Sequence, residues 1–491
     1  MKTTRAAFVP LLTAACLLAA LAGPGSAQRQ PRRAPDVVQS SEIYDTCKTL
    51  ASAEFAGRLT GHQGYAAAAQ WAAGRFKAWK MKPAFGRDNY LQGFPAPYTL
   101  VDEADMTLLF PGKADDGAET IEEVKLEAGR DFLPLLFTDS GRNEAEVVFA
   151  GWGISAPELG YDDYAGLEVK DRFVLCFRGT PDPADLRFED HDQHRVRMKT
   201  ARDKGALGVV YIYPEVSANP NGDRLPNFTP AEISEKTADL LFKEKDLTAD
   251  QVKKSLFAYK RPLSMTLSAR MRYGVVARHF PAGVGYNVVG WIEGRDPSLR
   301  NECVIFGAHL DHCGRHMGLL FPGADDNASG SATVMEIARA FARSGRKPRR
   351  SVVFVLFGGE EMGLLGSKHF ADNLPSRFKT VAAMFNFDMT GAGDGAFCGV
   401  SAEPAAVKEA IEAANRQVNI VRGVRIIRRV GVRSSDFAPF FLKGIPVASF
   451  ASNGPHLAYH QPGDTIYRIN PDIMADIARV AFRAGLRLAD L

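Results

Sequence analysis

The stretch from His309 to Asp388 constrains this chain most, because its apolar runs end directly in acids and imidazoles. It reads VIFGAHLDH (304–312), PGADDNASG (322–330), VVFVLFGGEEMG (352–363) and MFNFDM (384–389). Val, Ile and Phe with almost no alternation predict strands buried on both faces, as in a parallel sheet. Between them the pattern is helical: Ser329 to Arg343 sets Val334, Ala338 and Phe341 on one side, and a second helix follows from Leu364 to Asn373. Strand and helix in alternation predict an α/β fold, with a mixed, largely parallel sheet flanked by helices. Such sheets bind ligands beyond the carboxyl ends of their strands. His309, Glu360, Glu361 and Asp388 all fall at such ends.

A chain of 491 residues has length for two or three domains, and its net charge of +3 gives no reason to expect nucleic acid as a partner. Its amino end is different in texture. Lys2 and Arg5 precede an apolar run from Ala6 to Ala22, and Gly25-Ser26-Ala27 supplies small residues. This is the pattern of a secretory signal peptide over 1–27 with cleavage after Ala27, followed by a polar linker over 28–39. The expected product is exported, periplasmic or extracellular, with no stable membrane insertion. Five cysteines remain after cleavage, Cys47, Cys176, Cys303, Cys313 and Cys398, at spacings that form no zinc ribbon. They read as small buried hydrophobes.

The remaining chain divides by texture into an amino-terminal part of the main domain (40–139), an inserted block (140–262) and the metal-binding part (263–491). The first carries a Gly-rich loop and a long Ala-rich helix within residues 56–85, and a strand starts near Tyr90. The inserted block holds short strands at 145–154, 172–179 and 207–213 between Gly/Pro/Asp turns. His191 and His194 sit three apart in it, within a solvated charged run, and are read as surface residues. The block is expected to govern substrate access or a partner, without chemistry of its own. In the last part, HLAYHQPGDT (456–465) is a turn-rich loop, and an amphipathic helix runs from Asp472 to about Leu488.

Two cations held close together need terminal ligands and one carboxylate to bridge them. His309 and His460 offer imidazoles, Glu361 and Asp388 carboxylates, and the Asp325-Asp326 loop a bridge. This nitrogen and oxygen set suits zinc. Asp311 is spaced to orient His309 from behind. One member of the Glu360-Glu361 pair can ligate while the other accepts a proton.

HLD, GADDNASG, GGEEMGLLGS, FNFDM and YHQPGDT, in this order, resemble the M28 family of dinuclear zinc metallopeptidases over residues 40–136 and 265–491. The resemblance implies two zinc ions, held by His309, Asp326 (bridging), Glu361, Asp388 and His460. It implies Glu360 as general base, Asp311 as the aspartate behind His309, and Tyr459 as the group that polarises the scissile carbonyl. It also implies the zinc exopeptidase fold and peptide substrates. Ala458 stands where the family often has an acid. The inserted block resembles a protease-associated domain. The leading expectation is an aminopeptidase; a carboxypeptidase of the same fold is the enzymatic alternative, and a receptor-like binding protein on a peptidase scaffold the non-enzymatic one. His312 and His316 are expected in a loop or at the rim, and His456 as a loop anchor.

Overall fold

The structure, a computed structural model, describes residues 37–393, 395–427 and 435–491. The signal-peptide reading falls outside them. No described helix is long and apolar enough to cross a membrane.

The apolar runs form the centre of a nine-stranded sheet. In chain order its main strands are β1 (Val284–Ile292), β2 (Glu302–His309), β3 (Ser351–Phe357), β4 (Thr380–Phe387), β5 (Cys398–Glu403) and β6 (Val447–Ser452). They lie side by side as β1-β3-β2-β4-β6-β5. β3, β2, β4 and β6 are parallel neighbours, while β1 and β5 pair antiparallel at their flanks. The sheet is mixed and largely parallel, and helices cover it on both sides. On one face Phe306 stacks between Phe354 and Phe385, with centroids 5.6 Å and 5.2 Å away. The helices α1 (Gly330–Arg343) and α2 (Pro471–Asp490) pack there through Phe341 and Phe482. On the other face Ile305, Val353 and Phe357 meet Phe370 and Phe440. Burial on both faces explains why the strands read as unbroken apolar runs.

A second sheet of eight strands has its own apolar core, centred on Phe149, Phe173 and Leu175. It contains the three strands read in the inserted block, at Gly141–Ala150, Phe173–Phe177 and Gly208–Tyr213. It reaches further along the chain than 140–262. Tyr98–Lys113 and Ser264–Phe280, assigned from sequence to the flanking parts, pair with each other antiparallel, and the latter also pairs with Gly141–Ala150. The physical reason is length. The two strands run for 16 and 17 residues and pair with each other over much of that length, and their alternating burial gives this body a half-solvated flank.

His316 ties the two bodies together. It lies on the hairpin Gly314–His316/Leu319–Phe321, where its Nδ1 accepts from Val101 N at 3.1 Å and its Nε2 donates to the Cys313 carbonyl at 2.8 Å. Burial pushes its pKa down from the ordinary 6.5 to about 4. Below pH 6.5 the unfolded chain therefore takes a proton that the folded chain refuses. The stability that neutral His316 contributes is complete above pH 6.5 and lost as the pH falls towards 4, by about 3 kcal/mol. Urea unfolding across that range should show the stability gap between wild type and His316→Gln narrowing by that amount; a gap independent of pH would contradict it.

Candidate metal centre

Three strand ends and two loops build the site. β2 ends on His309, β3 runs through Gly358-Gly359 into Glu360 and Glu361, and β4 runs into Asp388. Both glycines are required. A Cβ on Gly358 would sit 2.3 Å from the Tyr65 hydroxyl, and Gly359 turns the chain at φ +67°. Asp326 comes from the turn before α1, across a cis Asp326-Asn327 peptide, and His460 from the loop before α2.

These side chains converge as the sequence predicts. Asp326 lies between the two histidines: its Oδ1 is 3.3 Å from His309 Nε2, and its Oδ2 is 3.0 Å from His460 Nε2. His309 Nε2 also faces Asp388 Oδ1 at 3.2 Å, and His460 Nε2 faces Glu361 Oε2 at 3.0 Å. The result is two half-sites, His309/Asp388 and His460/Glu361, sharing one carboxylate. Its two oxygens point to different imidazoles, which is the arrangement a bridging ligand needs. Glu360 groups with His309 and Asp388 and is partly open to the cleft. Burial pushes its carboxyl well up; His309 pulls it down, while Glu361, Asp436 and Asp388 raise it further. Burial pushes Glu361 the same way, but His460 and His312 outweigh it and hold Glu361 at about 2. The effect of burial is thus reinforced by neighbouring carboxylates at Glu360 and outweighed by imidazoles at Glu361.

A second layer holds these groups. The Asp311 carboxylate stands 3.7 Å behind His309 Nδ1 and accepts from Glu360 N at 3.3 Å. Asp464 accepts from the amides of Asp325 and Asp326, fixing the bridge loop. Asp325 in turn accepts from Gly391 and Ala392 N and pairs with His456 Nδ1 at 2.6 Å, so His456 anchors its loop as expected. Ser435 donates to Asp388 Oδ2 at 2.6 Å and accepts from Asn386. Arg58, in the Gly-rich loop, is wholly buried. It donates to the carbonyls of Leu50, Leu310, Pro322 and Gly323 at 2.6–2.7 Å and so pins both ligand-bearing turns.

Some residues were misplaced or missed by the sequence reading. His312 is fully buried, with Nδ1 2.9 Å from Glu361 Oε1, and so belongs to the site rather than its rim. It follows the end of β2 closely enough that the turn folds it back beside His309's neighbours. Cys313 lies with His312, Glu361 and His460 in one cluster of ligand atoms, although burial pushes its thiol up to about 12. Tyr459 is 51% exposed, with its ring flat on His460 at 3.9 Å between centroids. His191 pairs with Glu158 and His194 with Arg178 and Asn219, so those two histidines share no ligand position. The described cysteines are all free and buried.

Residues 287–484 match the family described as "Peptidase family M28". That part of the chain is similar to M28 peptidases. Over 174 residues it is 34% identical to leupeptin-inactivating enzyme 1 of Streptomyces exfoliatus, covering 35% of this chain and 37% of that protein. It is 28% identical to an aminopeptidase of Pseudomonas aeruginosa over 407 residues, 75% of this chain and 68% of that one. The chain thus spans about a third of the first relative's length and two thirds of the second's. Among solved structures, a zinc aminopeptidase from Bacillus subtilis superposes with a TM-score of 0.62 at 20% identity, over 91% of this chain and 94% of that one. The α/β fold with its second body is therefore shared with known aminopeptidases.

Proposed function

We propose that this chain is an exported zinc aminopeptidase that removes residues from the amino end of peptides. The observation that carries the reading is the shared carboxylate of Asp326, with an imidazole on each oxygen at 3.0–3.3 Å. His309 and Asp388 would hold one zinc, His460 and Glu361 the other, and Asp326 both. The donor set fits, being all imidazole and carboxylate, buried or nearly so, and converging from five chain segments. When bound, the ions supply Lewis acidity and lower the pKa of water.

The remaining work belongs to the side chains. Glu360, whose carboxyl burial raises above its ordinary range, accepts the proton of the attacking water and passes it to the departing amine. Asp311 and Ser435 keep His309 and Asp388 in place. Tyr459, half-exposed beside His460, is assigned the polarisation of the scissile carbonyl. The surplus of carboxylates around the cleft favours a cationic amino terminus over a carboxylate. A carboxypeptidase would need a guanidinium to grip the terminal carboxylate; Arg315 instead lines a separate cavity of about 260 Å³ with His62, Asp102 and Arg278, and Arg428, Arg429 and Arg433 lie outside the described residues. The second sheet is assigned to a protease-associated domain, whose chain we extend to Tyr98–Phe280 on the strength of its strand pairing.

The test is incubation of purified protein and zinc with free and N-acetylated peptides, followed by mass analysis. Stepwise loss from the free amino end, blocked by acetylation, is expected. Release of carboxyl-terminal residues from acetylated peptides would replace this reading with a carboxypeptidase, and absence of any hydrolysis with a binding protein.

A further inference from the structure

The two half-sites are held from behind by different parts of the chain. His309 Nδ1 faces Asp311, its near neighbour in sequence. His460 Nδ1 instead donates to the carbonyl of Ala218, at 2.7 Å, across 242 residues. Ala218 belongs to the loop that leaves strand Gly208–Tyr213 of the second sheet. The contact is double, since Ala218 N donates to the His460 carbonyl at 2.8 Å. It is also extended: Gln461 Nε2 donates to Glu215 Oε2 at 3.1 Å, and the Cys313 thiol to Ala218 O at 3.6 Å.

The loop is itself fixed from inside its own body. Ser217 N donates to Glu232, a fully buried side chain on strand Ala231–Ser234, and Leu136 N donates to the Asn219 carbonyl. An imidazole whose Nδ1–H is given to a carbonyl presents Nε2 as its ligand atom, and such outer partners are worth about ten- to a hundredfold in metal affinity. His460 Nε2 is the atom that faces Asp326 and Glu361.

We propose that the 214–222 loop of the inserted body is a positioning element for His460, so that one of the two half-sites is completed only by the second domain. The proposal rests on the zinc reading above. It replaces the expectation of an accessory block without part in the chemistry. It also makes the half-sites unequal: His309/Asp388 stands on the α/β body alone, whereas His460/Glu361 depends on both. Loosening the loop should weaken one ion and spare the other.

Glu232→Ala removes the acceptor that holds Ser217, and Glu232 is none of the proposed ligands; Glu232→Gln keeps an oxygen there. Zinc affinity is read by competition with a chelator on the full chain, with circular dichroism to confirm folding. Glu232→Ala should retain one tight zinc and bind the second about ten- to a hundredfold more weakly, with Glu232→Gln near wild type. Hydrogen exchange of the wild type supplies a measurement that needs no variant: zinc should slow exchange in residues 214–222. A folded Glu232→Ala that binds both ions as wild type does, or a 214–222 segment unchanged by zinc, overturns the proposal and leaves the zinc reading standing. A wild type that binds no zinc overturns both.

Discussion

Glu360→Gln is expected to keep its zinc and lose turnover by about a hundred- to ten-thousandfold, the usual cost of removing a general base. The amide is nearly the same size, so the turn after β3 and the Glu360 N bond to Asp311 remain. What disappears is the only function assigned to that carboxyl, accepting a proton. Glu361→Ala should do the opposite, because Glu361 faces His460 and His312 rather than the open cleft. Metal content and kcat measured on both variants decide it. Zinc lost from Glu360→Gln and kept in Glu361→Ala would reverse the assignment of the pair.

Asp326→Ala should have the largest effect on metal, because among the proposed ligands Asp326 alone has one oxygen against each imidazole. Its two oxygens face His309 and His460, and their removal leaves each imidazole with a single carboxylate partner, Asp388 or Glu361. Zinc should fall from two equivalents to less than one. The fold should persist, since the Asp326 amide still donates to Asp464. Removing a buried carboxylate that faces two buried imidazoles should also lower stability without zinc. Retention of two equivalents in Asp326→Ala would show that the bridge lies elsewhere.

The α/β body and the candidate ligands at its strand ends were legible in the sequence for one reason. A parallel sheet buried on both faces writes itself as apolar runs, and the site sits where those runs end. His309, Glu360, Glu361 and Asp388 are each within four residues of such an end, so their meeting follows from strand order. The choice of Asp326 over Asp325 as the bridge needed the family resemblance, because loops carry no periodicity that fixes which side chain turns inward. His312 was misplaced for a similar reason: a turn that folds a side chain inward has no pattern distinct from one that leaves it at the rim. Arg58 was invisible because its partners are four carbonyls from three separate segments, and carbonyls are the same in every residue. The Ala218 contact was hidden likewise, being a main-chain bond from an alanine. The reach of the second sheet was underestimated because Tyr98–Lys113 and Ser264–Phe280 alternate like ordinary solvated strands, and only their pairing assigns them.

The central claim is a site for two metal ions on one shared carboxylate. Calorimetric titration of metal-stripped protein with zinc, followed by elemental analysis of the saturated sample, tests it most directly. Two equivalents per chain are predicted, with hydrolysis of free-amino peptides appearing as they bind. Saturation at a single equivalent with full activity would contradict the two-ion site.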